Sequence, residues 1–261
     1  MNEDFGDITS FLLDMDGTVY LSDKLFPGVL DFLAALRRTG RGVLFVTNNS
    51  SQDGAGYSRK LTGLGIAVEP GGIVTSGAAT VDYLNDVARV QRVYALGTAS
   101  FEEELRAGGL LLDDQQPQAV VLGFDLTLTY DKLRRACQFI LQGVPFIASH
   151  PDLTCPTSEG PIPDCGAITA LITAATGIAP VVIGKPHRYM VDAALKRLGS
   201  TPAQTAIVGD RLYTDMEMGF RSELRTVLVL SGESTEADVA KAARKPDLVV
   251  PSIAELIPLI S

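Results

Sequence analysis

Short apolar runs alternate with segments of helical period almost throughout this chain, and that alternation constrains its fold most. Ile8 to Leu13 reads as a buried strand. Val29, Phe32, Leu33 and Leu36 then recur at the spacing of one helical face. Gly40 ends that helix, and Val43 to Val46 form a second buried strand. Tyr57, Leu61 and Leu64 mark another helix, closed by Gly63 and Gly65. Ile73 and Val74 begin a third strand, and Ser76 to Ala88 read as helical. Strands apolar on both faces and separated by helices predict an α/β fold with a mostly parallel, doubly wound sheet.

The pattern continues with strands at Val93 to Leu96, Ala119 to Leu122 and Pro145 to Ala148, and helices at Phe101 to Ala107 and Tyr130 to Leu141. Ser149 to Pro163, with four prolines, is a long irregular stretch of the kind that usually carries function. Strands return at Val181 to Ile183, Thr205 to Val208, Val227 to Leu230 and Leu248 to Val250. A length of 261 residues suits two domains. The positions of the polar motifs below divide the chain into a core, residues 1–80 and 181–261, and an inserted α/β domain, residues 81–180.

No apolar run reaches the roughly 18 residues of a membrane span. The opening MNEDFGDITS is acidic and lacks the basic and apolar regions of a signal peptide. Cys137, Cys155 and Cys165 are an odd set without CxxC spacing, which argues against a disulfide framework and a structural zinc site. These features predict a cytoplasmic protein. The net charge of -9 argues against a nucleic-acid partner, which would require a basic face. Arg37, Arg38 and Arg41 bracket a helix end, where they suit the helix dipole. An acidic chain repels anionic ligands at long range, so any such ligand would need a metal ion and local positive groups to hold it.

Four polar clusters each follow a buried strand. Asp14-Met15-Asp16-Gly17-Thr18 stands where ligands of open α/β sheets bind, beyond the carboxyl end of a strand. Residues two apart on an extended segment face the same side, so Asp16 can share a pocket with Asp14. Two adjacent carboxylates repel unless a cation intervenes, and a hard ion such as magnesium suits oxygen ligands. A solvated turn with an aspartate cap is the plainer reading of this cluster alone. Thr47-Asn48-Asn49-Ser50 offers hydroxyls, amides and free N–H groups at a helix start, which fit a phosphate or simple capping. Gly184-Lys185-Pro186 puts a lysine at a strand end, to pair with phosphate or carboxylate, or to lie exposed in a loop. In Gly209-Asp210-Arg211-Leu212-Tyr213-Thr214-Asp215, Asp210 repeats the placement of Asp14, and Asp215 opens a helix, where a carboxylate also suits the dipole. Together the four contribute what phosphoryl transfer needs.

In that order and spacing the motifs DMDGT, TNNS, IGKP and GDRLYTD resemble those of the haloacid dehalogenase superfamily. The likeness is to its NagD-like, 4-nitrophenylphosphatase-like subfamily (IIA), and runs from about Leu12 to Leu230. Val93-Tyr94-Ala95-Leu96-Gly97, the Ser149 to Pro163 loop and Asp164-Cys165-Gly166 are similar to its cap.

The resemblance implies a Rossmann-like core with an inserted α/β cap, and a magnesium-dependent phosphatase acting on small phosphomonoesters. These include sugar phosphates, nucleoside monophosphates, glycerol phosphate and aryl phosphates. It implies Asp14 as nucleophile and magnesium ligand, and Asp16 as a ligand through its carbonyl and as acid, then base. Asp210 would be the remaining magnesium ligand, and Thr47, Asn48 and Asn49 would hold the phosphoryl group. Lys185, positioned by Asp215, would neutralise Asp14 and the phosphate. Asp16 separates ester hydrolysis from the carbon chemistry of the dehalogenases. Phosphotransfer or mutase activity, and a silent phosphometabolite-binding protein, are the alternatives. The cap loop would face the leaving group, with His150 and Asp152 toward the substrate. Many relatives carry Thr-Asn-Pro-Asp where this chain has Ser149-His150-Pro151-Asp152, and His150 either touches substrate or supports Asp152. Caps of this subfamily sometimes form homodimer contacts. Cys155 reads as lining, His187 as a residue at a helix start, and Met190, Met216 and Met218 as packing.

Overall fold

The computed structural model describes residues 5–157 and 159–260. Met1 to Asp4 of the acidic opening stretch, Ser158 of the proline-rich loop, and Ser261 lie outside them. The chain forms two compact units. The first comprises Met1–Thr47, Ser58–Val74 and Lys185–Ser261; the second comprises Asn48–Tyr57 and Thr75–Gly184.

The first unit is built on a six-stranded sheet, ordered Leu248–Val250, Arg225–Val229, Thr205–Gly209, Ser10–Leu13, Gly42–Thr47, Ile73–Thr75. Ser10–Leu13 pairs in parallel with both neighbours, Leu13 lying opposite Val208 and Phe45. Every residue of this central strand is buried, which explains the apolar run Phe11-Leu12-Leu13 without alternation. The helix Val29–Arg38 buries Val29, Phe32, Leu33, Ala35 and Leu36 on one face and carries Arg37 and Arg38 in its last turn. Each such Leu or Phe contributes about 1.5–3 kcal/mol on leaving water. Met190, Met216 and Met218 are fully buried, in keeping with packing roles.

The second unit holds a five-stranded sheet, ordered Val181–Val182, Phe146–Ala148, Ala119–Leu122, Arg92–Leu96, Leu111–Leu112, with each registered pair parallel. The helices Tyr130–Leu141 and Cys165–Thr176 give Ala136, Ile140, Ile168 and Ile172 to a core with Leu96, Val120, Leu122 and Phe146.

Two expectations need correction. Val181–Val182 pairs with Ile147–Ala148 at the edge of the second sheet, rather than opening the return of the first. A run of three apolar residues carries no sign of which sheet edge it joins. The Ser149 to Pro163 stretch also contains a short antiparallel ribbon, in which Thr154 and Cys155 lie opposite Pro163 and Ile162.

Candidate active site

The end of the central strand determines where Asp14 stands. Its backbone N–H still donates to Val208 O at 2.9 Å, so the side chain leaves from the last rung of the ladder. The chain then turns tightly: Met15 O accepts from Thr18, Val19 and Tyr20 N–H groups at 3.3, 2.8 and 3.1 Å. Gly17, at φ +91°, makes the turn possible. The neighbouring strand Thr205–Gly209 delivers Asp210 in the same way, followed by a π-helical turn, Leu212–Met216, that buries Asp215. Such turns are frequent at functional sites.

Lys185 ties these elements together. Its Nζ donates to Asp14 Oδ1, to Asp215 Oδ1 at 2.8 Å and to Val46 O at 3.4 Å. Lys185, Asp210 and Asp215 are almost wholly buried, and Asp14 is nearly so. One oxygen from each of Asp14, Asp210 and Asp215 lies within 4.8 Å of the others. Glu233 N–H donates to Asp210 Oδ2 at 2.7 Å, whereas Asp210 Oδ1 is buried with no hydrogen-bond partner among the described residues.

The charges are unbalanced. Burial pushes the Asp14 carboxyl well above its ordinary range; Lys185 opposes this, while Asp215 and Asp210 add to it. Burial, reinforced by Asp215, raises Asp210 to about 6. Burial works against the Lys185 ammonium, but Asp14 and Asp215 outweigh it and hold it above the ordinary lysine value. Three carboxylates around the Lys185 ammonium, with the Arg211 guanidinium also acting on Asp14 and Asp210 and one carboxylate oxygen unpartnered, fit a divalent cation with oxygen ligands.

Asp16 lies apart from that triad. Its carboxylate is exposed and accepts from the Tyr20 hydroxyl at 3.3 Å. Desolvation by the protein packed around it raises its pKa, against the pull of Lys60 and the Tyr20 hydrogen bond. Lys60 Nζ also sits 3.9 Å from the Tyr20 ring centroid, a cation–π contact. Neither Tyr20 nor Lys60 was singled out from the sequence. Tyr20 lies four residues beyond Asp16, but its contact depends on the turn at Gly17, and Lys60 arrives from a helix no local pattern links to it.

The remaining expected site residues divide between the units. Thr47, buried, ends a strand of the first. Asn48, Asn49, His150 and Asp152 belong to the second. There Asn48 Nδ2 donates to both oxygens of Asp152 at 3.2 Å. Asn49 Oδ1 accepts from Ser51 N–H at 2.9 Å and Ser51 Oγ at 2.7 Å in a local turn; the helix Gly54–Gly63 is capped not by Asn49 or Ser50 but by Asp53, whose Oδ1 accepts from Gly56 N–H at 2.8 Å. His150 is fully buried between Asp152 and Asp164. Burial pushes the Cys165 thiol up to about 12, which suits an inert packing residue. His187 is the N-cap of Arg188–Leu198, half-buried and without a side-chain capping bond.

Comparison with known proteins now decides the family. Residues 11–111 match the haloacid dehalogenase-like hydrolases, and residues 182–256 match a second, HAD-hydrolase-like description. A dihydroxyacetone phosphatase of Corynebacterium glutamicum is 36% identical over 247 residues, 95% of this chain and 90% of that protein. The chain belongs to the haloacid dehalogenase-like hydrolases. Within that family, the structure of a 4-nitrophenylphosphatase from Thermotoga maritima is similar at a TM-score of 0.95 and 42% identity, covering 98% of this chain and 99% of that one. NagD from Escherichia coli is similar at 0.90 and 31%, covering 95% and 98%. Among the described residues no helix is long and apolar enough to cross a membrane.

Proposed function

We propose that this haloacid dehalogenase-like hydrolase is a magnesium-dependent phosphatase of small phosphomonoesters that works through a phospho-aspartate at Asp14. The observation that carries the reading is Lys185, held between Asp14 and Asp215 beside the unpartnered oxygen of Asp210. The relatives named as phosphatases of dihydroxyacetone phosphate and 4-nitrophenyl phosphate support the reaction class. Their differing substrates support a small ester without singling one out. The three cysteines, all free thiols, suit the reducing cytoplasm.

Asp14 and Asp210 would hold the ion, with the Asp16 carbonyl as a third protein ligand. Bound there, magnesium supplies positive charge against the phosphoryl oxygens. The rest of the chemistry belongs to side chains. Lys185 favours the carboxylate form of Asp14 against the effect of burial and offsets the negative charge of the arriving phosphate. Asp14 attacks phosphorus as the ester oxygen departs, forming an acyl phosphate. Asp16, exposed and with a raised pKa, gives its proton to that oxygen. As a carboxylate it then takes a proton from the water that hydrolyses the acyl phosphate. Thr47, Asn48 and Asn49 would hold the phosphoryl group, and Asp215 keeps Lys185 aimed at Asp14.

Phosphate release from a panel including dihydroxyacetone phosphate, nucleoside monophosphates and 4-nitrophenyl phosphate, with and without Mg2+, tests the proposal. Turnover that needs the ion is the expected result. Turnover unchanged by chelation would refute the metal role, and equal transfer to an added sugar would favour a phosphotransferase.

A further inference from the structure

Four side chains of the second unit form a line ending on Asn48. Both oxygens of Asp152 accept from Asn48 Nδ2 at 3.2 Å. Behind Asp152 lies His150, with Nδ1 3.6 Å from Asp152 Oδ2 and Nε2 3.4 Å from Asp164 Oδ1. Asp164 is fixed in turn as the N-cap of Cys165–Thr176, accepting from Cys165 N–H at 2.6 Å. Gly166 N–H donates to Asp152 O at 2.8 Å, which anchors the backbone of Asp152 to the same helix start.

His150 is fully buried, and neither ring nitrogen is in full hydrogen-bond geometry with a described group. An unsatisfied buried polar group costs about 1–3 kcal/mol, so this placement asks for a reason beyond packing. The groups its two nitrogens approach are carboxylates on opposite sides. An imidazole between them separates two negative charges and braces Asp152 from behind.

The other end of the Asn48 amide is crowded. A β-carbon at residue 184 would fall 2.5 Å from Asn48 Oδ1 and 2.9 Å from His150 Cβ, so Gly184 leaves room for both side chains. Gly184 N–H is itself bonded to Ser149 O at 2.7 Å. A flipped amide would set Asn48 Oδ1 against the Asp152 carboxylate, oxygen to oxygen, which the present orientation avoids.

We propose that His150 and Asp152 are positioning residues that fix the amide of Asn48, rather than groups that touch the substrate. The inference rests on the reading of Asn48 as a phosphoryl-binding residue. Asp152 selects the amide orientation, His150 keeps Asp152 in place, and the capped helix start anchors the line through Asp164. Residues acting through Asn48 must lose their effect once Asn48 is gone, which purely structural residues would not do.

A double-mutant cycle tests this, with inhibition by inorganic phosphate and kcat/KM for 4-nitrophenyl phosphate as readouts. Asn48→Ala, Asp152→Ala and His150→Ala are measured alone, and the last two again in the Asn48→Ala background, with thermal unfolding of each. Asp152→Ala and His150→Ala are each expected to weaken phosphate inhibition and kcat/KM by about tenfold in the wild-type background. In the Asn48→Ala background each should add less than twofold. The same tenfold loss in both backgrounds overturns the proposal while leaving Asn48 as a phosphate ligand. If Asn48→Ala alone leaves phosphate inhibition unchanged, the phosphoryl-binding reading itself fails, and the inference with it. Should His150→Ala not fold, the half-buried Asp152 decides by the same criterion.

Discussion

Gly17 and Asp210 approach so closely that a β-carbon on residue 17 would fall 2.3 Å from Asp210 Oδ2. Gly232 crowds the same carboxylate from another loop, with a corresponding distance of 2.0 Å. The two glycines and the Glu233 N–H therefore pin one oxygen of Asp210 and leave Oδ1 as the unpartnered one. Gly17→Ala is expected to be costly twice over. Its φ of +91° is one that L residues rarely adopt, at about 1–2 kcal/mol, and the methyl group must displace Asp210. Thermal unfolding should show the loss of stability, and a magnesium titration of activity should show weaker activation.

Removing Lys185 leaves Asp14 and Asp215 facing each other with their shared cation gone. Breaking a buried ion pair by deleting one partner costs about 3–5 kcal/mol. Lys185→Ala should therefore lose both turnover and stability. Asp14→Asn should abolish turnover yet unfold at a temperature closer to wild type, because one negative charge leaves with the nucleophile. Near-normal turnover by Asp14→Asn would rule out the phospho-aspartate route.

Asp210 makes the metal-free protein sensitive to pH with a definite sign. Its folded-state value of about 6 lies above the ordinary 3.8. The stability tied to this group is thus fully present below about 3.8 and is lost as pH rises through about 6. The gap corresponds to roughly 3 kcal/mol. Asp210→Asn should flatten the stability profile of the metal-free protein across that window. Since a cation binds the carboxylate form, Mg2+ should raise the melting temperature more at pH 7.5 than at pH 5. Equal shifts at the two pH values would count against Asp210 as a ligand.

The four polar motifs were legible in the sequence because each follows a short, mainly apolar run, which places its first polar residue at a strand end. Tyr130–Leu141 was legible to the residue because Thr129 caps one end and its apolar spacing is regular. Leu111–Leu112 was missed, since three leucines after a glycine pair look the same in a loop and in an edge strand. The line from Asp164 through His150 to Asn48 joins residues more than a hundred positions apart, and local spacing carries no sign of it. The sequence left His150 between two roles, and only its full burial between carboxylates favours the supporting one.

Asp16 offers the sharpest test of how the ester oxygen leaves. Its carboxylate is exposed and touches Tyr20, outside the triad of Asp14, Asp210 and Asp215, which suits a group that must exchange protons with solvent. Proton donation matters most when the departing oxygen is a poor leaving group. Asp16→Asn should therefore lower kcat/KM for an alkyl phosphate by about a hundredfold or more, and for 4-nitrophenyl phosphate far less, because nitrophenolate departs without a proton. The water-attack step, for which Asp16 is the proposed base, would then limit the aryl ester, and phospho-enzyme should accumulate after a burst of nitrophenolate. Equal slowing of both esters with no burst would remove Asp16 from proton transfer and leave it only the proposed role of its carbonyl toward the metal.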